Sequence, residues 1–159
     1  MLNPESRMRW PVALPFLLIA AAAWATPVRY VSQRGAEAYM REGPSYAHRV
    51  LWVYRHRGTP FAVTASYDVW RRVRAADGTS GWMSANMLSD RRTIVVVGRG
   101  RAQIRAAPGS LKLVGLADPG AIAGLRACAP HACEIAAPGI DGWIDKARIW
   151  GVAPDEVFR

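Results

Sequence analysis

From Thr26 onward the apolar residues come in short runs, and no long stretch keeps a helical period. Val50-Leu51-Trp52-Val53-Tyr54 is one run and Phe61-Ala62-Val63-Thr64-Ala65 another, followed by Trp70 to Arg74 and Thr93 to Val97. Between them stand Gly43-Pro44, Gly58-Thr59-Pro60, Asp77-Gly78 and Gly98. Glycine tolerates positive φ and proline cannot donate to a strand ladder, so these positions mark turns. Runs rich in β-branched and aromatic residues at this spacing predict an all-β barrel or sandwich.

The pattern occurs twice. The first copy runs Ala38-Tyr39-Met40-Arg41-Glu42-Gly43-Pro44, Arg57-Gly58, Trp70 to Arg74, Ala75-Ala76, Gly78 and Gly81-Trp82-Met83, with Leu88 after it. The second runs Ala102-Gln103-Ile104-Arg105-Ala106-Ala107-Pro108, Pro119-Gly120, His131 to Ile135, Ala136-Ala137, Gly139 and Gly142-Trp143-Ile144, with Ile149 after it. Intervals between matching positions agree to within a few residues, as they do when only loop lengths differ. Counting back without gaps from Trp143 sets His131 against Trp70.

The Arg-x-x-Pro turn after a first strand and the closing Gly-Trp-aliphatic strand resemble the bacterial SH3 (SH3b) family, over residues 29–90 and 93–152. The segments Arg49 to Tyr54 and Ile149 to Val152 look like those of exported tandem-SH3 proteins. The resemblance implies five or six short antiparallel strands per unit, closed into a compact barrel. The fold expected is therefore all-β: two tandem small SH3-like β-barrels after an N-terminal signal peptide. It also sets Trp70 where SH3 barrels expose an aromatic in the ligand groove, rimmed by Arg72, with Tyr67 and Asp68 in the preceding loop and Tyr39 on the first strand. The alternative is that Trp70 caps the barrel core. The family's Pro-Ser-Asn-Tyr turn reads Ser84-Ala85-Asn86-Met87 here, without the gripping Pro and Tyr, which argues against proline-rich peptides. Trp82 and Trp143, each after a glycine, are expected to pack in or against the barrels, as is Trp52.

Upstream, Arg7 and Arg9 precede an apolar stretch from Val12 to Ala25 that is interrupted by Pro15 and closes Ala23-Trp24-Ala25. Positive, apolar, then small-x-small is the layout of a secretory signal peptide, residues 1–25. The alternative is an uncleaved anchor, for which the run falls short of the ~20 apolar residues a spanning helix needs. Export to the periplasm is expected. Cleavage takes Arg7 and Arg9 away with Glu5, so a formal charge of +9 falls only to +8. A basic surface favours polyanions. In an exported protein these are wall polymers and membrane surfaces, with no nucleic acid among the partners.

The two cysteines, Cys128 and Cys133, are too far apart for a CxxC redox pair and too few for a four-thiolate zinc site. An oxidising compartment predicts a disulfide between them, the alternative being two free thiols. His48, His56 and His131 show no metal-ligand spacing, so no metal and no cofactor are expected. Cys133 and His131 lie too close on one tight hairpin to share a substrate, and a disulfide would consume the thiol. Carboxylates are scattered, no phosphate-binding loop appears, and the barrels leave no room for a wall-peptidase domain. The expectation is a non-enzymatic module of the cell envelope that recognises peptidoglycan or another anionic component. The alternatives are a periplasmic adaptor for a protein partner and a regulatory subunit of a separate wall hydrolase. Arg49, Arg55, Arg57, Arg71, Arg72, Arg74, Arg91, Arg92, Arg99, Arg101 and Arg105 are candidates for an anion-facing side, or for ordinary solvated charge.

Overall fold

The computed structural model describes residues 28–159; the expected signal peptide, 1–25, lies outside the described residues. The chain forms β1 (Arg29–Gln33), β2 (Ala38–Arg41), β3 (Val50–Tyr54), β4 (Pro60–Tyr67), β5 (Trp70–Arg74), β6 (Ser80–Ser84), a 3-10 turn at Ala85–Met87 and β7 (Leu88–Ser89). It continues through β8 (Thr93–Val96), β9 (Ala102–Arg105), β10 (Leu113–Ala117), β11 (Ile122–Cys128), β12 (Ala132–Ala137), β13 (Ile140–Asp145), a 3-10 turn at Lys146–Arg148 and β14 (Ile149–Trp150). The class is all-β, as the spacing of runs and breakers predicts. Turns fall on the glycines that adopt positive φ, among them Gly58 at 84°, Gly78 at 87° and Gly98 at 89°.

The strands build two antiparallel sheets of seven. Their orders are β3-β2-β6-β5-β4-β1-β7 and β10-β9-β13-β12-β11-β8-β14. The second order repeats the first, strand for strand. Seven strands per unit exceed the five or six that the resemblance implies, with β7 and β14 only two residues long.

Each sheet closes on its own apolar cluster. The first is built on Val31, Ala38, Met40, Phe61, Val73, Met83 and Leu88, the second on Ile94, Val96, Ile104, Cys133, Ile135, Ile144 and Ile149. Tyr54 meets Phe61 edge-to-face at 4.9 Å, and burial pushes its hydroxyl up to about 12. A glycine holds the same place in both closing strands because the neighbouring strand passes close. A Cβ on Gly81 would strike Met40 and sit 2.8 Å from the Arg41 carbonyl oxygen; one on Gly142 would sit 2.7 Å from Ile104 and 2.8 Å from the Arg105 carbonyl oxygen.

Registers correct the gapless alignment. Trp70 pairs with Ser84 on β6, and its counterpart, two residues after the tryptophan of β13, is Asp145, whose partner is Ala132. Five residues (75–79) separate the paired Arg74 and Ser80, but four (137–140) separate Ala136 and Asp141. One residue lost in that hairpin shifts the frame, so Ala132, and not His131, matches Trp70. Cys133 then matches Arg71, facing the core. It lies opposite Cys128 in the ladder with Cα atoms 4.0 Å apart, and the two are joined by the expected disulfide.

The sheets meet at a seam. Thr93 Oγ1 donates to the Gly58 carbonyl at 2.6 Å, and Tyr30 of β1 meets Trp150 of β14 edge-to-face at 5.4 Å. Arg92, between β7 and β8, donates from both terminal nitrogens to Glu156, at 2.8 and 3.0 Å, and to the Gly151 carbonyl at 3.0 Å. Its guanidinium lies over the rings of Tyr30 and Phe158.

Candidate functional site

In a strand, cross-strand partners project from the same face. Arg41 on β2 pairs with Trp82 on β6, which pairs with Arg72 on β5. The next row is Ser84, Trp70 and Tyr67. Met83 and Val73, one residue along, are fully buried in the core, so both rows lie on the outer face. That face carries two tryptophans, one tyrosine and two arginines.

Trp70 is not the open groove aromatic that the resemblance implies. Only 5% of it is exposed, although it stands outside the core cluster. The loop between β2 and β3 folds over it. Arg41 Nη1 donates to the carbonyls of Tyr46 (3.1 Å) and His48 (2.8 Å), and Glu42 N–H donates to the Arg49 carbonyl at 3.0 Å. The loop so held lays Tyr46 edge-on against Trp70, centroids 5.0 Å apart, with Arg41 stacked 5.4 Å from the Tyr46 centroid. Gly43 admits the His48 ring where any Cβ would collide with it. Trp70 is therefore neither an open platform nor a core residue, but the floor beneath a tyrosine lid.

The other expected site residues divide. Tyr67 is 62% exposed on the Trp70 row, and Arg72 is exposed on the neighbouring row beside Trp82. Asp68 makes the β4–β5 turn, with φ of 47°, a left-handed conformation that Asp tolerates better than most residues. Its carbonyl accepts from Arg71 Nη1 at 2.8 Å. Tyr39 donates its hydroxyl to Glu37 at 2.8 Å, and Arg55 donates to the same carboxylate at 3.1 Å. The Tyr39 hydroxyl and Arg55 hold the Glu37 carboxyl below its ordinary value, and the same bond raises Tyr39. Tyr39 thus serves a local network at the start of β2.

Sequence reasoning missed two residues. Tyr46, not among the residues expected at the site, is the lid. Trp82, expected to pack in or against the barrel, is half-buried on the outer face with an arginine on either side. Alternation supplied a signal for Trp82: Met83 in the core requires Trp82 outside. Trp52, also expected to pack, is 58% exposed because β3 is the edge of its sheet, with Val50, Leu51 and Val53 exposed beside it. In the second sheet the two matching outer rows have Ala132 for Trp70 and Glu134 for Arg72, with Trp143 kept beside Glu134. Among the described residues no group of three or more His, Cys, Asp or Glu converges to hold a metal. Among them no helix is long and apolar enough to cross a membrane.

Among known families, residues 34–90 are similar to the bacterial SH3 domain. The match spans the loop that carries Tyr46, the β4–β5 hairpin that carries Trp70, and the closing Gly81-Trp82 strand of the first sheet. Among solved structures the whole chain is similar to NlpC2 from Trichomonas vaginalis, at 12% identity and a TM-score of 0.35, covering 77% of this chain and 48% of that one. It is also similar to NlpC1 from Trichomonas vaginalis, at 16% identity and a TM-score of 0.37, covering 88% of this chain and 51% of that one. The chain thus spans about half the length of both. No curated protein matches it.

Proposed function

We propose that the chain is an exported, non-catalytic binding module of the cell envelope, that its second sheet is a second SH3-like unit, and that its ligand is peptidoglycan. The observation that carries this reading is a unit similar to the bacterial SH3 domain, with an outer face that sets Trp82 between Arg41 and Arg72, one row from the lidded Trp70. An indole face is an apolar platform for the C–H face of a sugar ring, and guanidinium forks on either side take carboxylates of attached peptides. The second unit keeps Trp143 but has Ala132 and Glu134 where the first has Trp70 and Arg72. The first unit is therefore the binder and the second its support.

Sedimentation of residues 26–159 with purified sacculi at low and moderate salt tests this. Pelleting should survive moderate salt and fall at least fivefold with Arg72→Ala or Trp82→Ala. Pelleting abolished by salt, or indifferent to both substitutions, would show only a basic protein meeting an acidic polymer.

A second reading, an adaptor for a protein partner, is favoured by β3. This edge strand exposes Val50, Leu51, Trp52 and Val53, an open ladder that an extended partner segment could join. Absence of pelleting together with loss of partner capture in Trp52→Ala would select it.

A further inference from the structure

Six arginines make ion pairs among the described residues: Arg29, Arg49, Arg55, Arg92, Arg101 and Arg126. Three others converge at the seam of the two sheets without an acidic partner among the described residues. Arg34, Arg57 and Arg91 line a cleft of about 440 Å³ that holds no carboxylate among its lining residues. The nearest acid in sequence, Asp90, is already bonded by Arg29.

Two of the three are oriented in advance. Arg34 donates its Nε to the Leu88 carbonyl at 2.8 Å, and Arg57 donates its Nε to the Arg34 carbonyl at 2.9 Å. An Nε anchored on backbone fixes the guanidinium plane and leaves both terminal NH₂ groups free to fork onto two oxygens. Ser89, whose hydroxyl accepts from the Arg91 N–H at 3.2 Å, adds an O–H to the wall. Ile122 and Ala123 supply an apolar side from the second sheet. The Thr93–Gly58 hydrogen bond ties the sheets together at the same cleft, so its walls come from both.

We propose that this cleft binds a phosphate group, carried by a lipid headgroup or by a soluble phosphorylated sugar. Three like charges gathered without a counter-charge repel one another, and an anion relieves that repulsion. A single carboxylate would leave two guanidiniums uncompensated. A phosphate monoester carries about −1.5 to −2 near neutral pH and offers three acceptor oxygens, one for each arginine. The volume leaves room for the carrier group, which would lie against Ile122 and Ala123. The site is separate from the Trp82 face and does not depend on peptidoglycan being the ligand there.

Inorganic phosphate titrated into ¹⁵N-labelled residues 26–159, at constant ionic strength made up with chloride, tests the site. Saturable amide shifts should gather at Gln33, Arg34, Arg57, Gly58, Arg91 and Thr93, and acetate should bind at least tenfold more weakly. Arg91→Gln removes a side chain that makes no hydrogen bond among the described residues; it should weaken phosphate binding at least fivefold without lowering the melting temperature. Arg57→Gln should act in the same direction. Shifts that rise linearly with phosphate, spread equally to Arg72 and Arg74, match those from acetate or survive Arg91→Gln would overturn the proposal. Recruitment to vesicles containing phosphatidic acid, whose headgroup is a phosphate monoester, but not to phosphatidylcholine ones, competed by phosphate and lost in Arg91→Gln, would identify the lipid source. Tighter binding of glucose 6-phosphate than of inorganic phosphate, without vesicle recruitment, would identify the soluble one. Failure of both carriers to bind more tightly than the bare ion would overturn the assignment of the ligand.

Discussion

Replacing Glu156 by Gln should loosen the seam between the two sheets, and the size and pH dependence of the effect follow from its contacts. Both Glu156 oxygens accept from Arg92, and Oε2 also accepts from the Ala153 N–H at 3.0 Å. The two side chains are only 28% and 24% exposed. Exposed ion pairs contribute about 0–1 kcal/mol, whereas breaking a fully buried one costs about 3–5 kcal/mol. A pair of intermediate burial, retained as a weaker neutral hydrogen bond in the variant, should cost about 2 kcal/mol. At about 3 °C per kcal/mol for a chain of this size, the melting temperature should fall by about 6 °C at pH 7.

The acid side of the profile supplies the control. Hydrogen bonding from Arg92, helped by the Ala153 N–H, holds the Glu156 carboxyl below its ordinary 4.5 in spite of burial. A carboxyl whose pKa is lower in the folded state than in the unfolded one stabilises fully above the unfolded value. That contribution is lost as pH falls from about 4.5 through the folded value. Melting followed by circular dichroism at pH 7, 5, 4 and 3 should therefore show a gap between parent and Glu156→Gln that is constant down to pH 5 and closes towards pH 3. Equal melting temperatures at pH 7, or a gap that persists unchanged at pH 3, would refute the reasoning.

Gly81→Ala should lower the urea midpoint by an amount corresponding to about 2–3 kcal/mol, since its Cβ meets Met40 and the Arg41 backbone in a filled core; an unchanged midpoint would mean that β2 and β6 can separate freely. Tyr46→Ala should uncover Trp70, shifting tryptophan emission to the red while costing only the ~1 kcal/mol of an aromatic pair; emission that stays put would show that Trp70 is covered by something other than the lid. Reduction of Cys128–Cys133 should destabilise the second unit by about 2 kcal/mol, visible as a lower melting temperature in dithiothreitol that Cys128→Ala/Cys133→Ala reproduces; identical melting in both redox states would contradict it.

The elements were legible because strand and turn are written in local chemistry. Val50–Tyr54 and Trp70–Arg74, read as short runs between turn residues, are β3 and β5 to the residue, and Gly58, Gly78 and Gly98 turn where glycine allows positive φ. The disulfide could be anticipated from two cysteines flanking a tight turn. Exposure was not legible, because it depends on which distant segment covers a side chain. Nothing near Trp70 says that Arg41 will pull the next loop back over it, and nothing within Val50–Tyr54 says that this run ends a sheet instead of lying inside one. The match of His131 to Trp70 failed for a smaller reason. One residue fewer in a hairpin is invisible to an ungapped count, yet it moves every side chain beyond it to the opposite face.

The same distinction governs the charge. A net +9 indicates affinity for anions but not where they bind. Six arginines are committed to carboxylates, and two of these pairs, Arg55–Glu37 and Arg92–Glu156, brace the start of β2 and the seam. Two uncommitted groups remain, of different character. Arg72 sits exposed on an open face, where salt screens it readily. Arg34 and Arg57, exposed as well, are anchored through Nε at the walls of a cleft, so their terminal nitrogens lose less freedom on binding. Phosphate affinity at the seam should therefore fall more steeply with salt, since three exposed guanidiniums act on one anion, than affinity at the outer face, where one arginine is joined by tryptophan stacking. The salt slopes of Arg91→Gln and Arg72→Ala, measured side by side, separate the two sites even when both bind the same polymer.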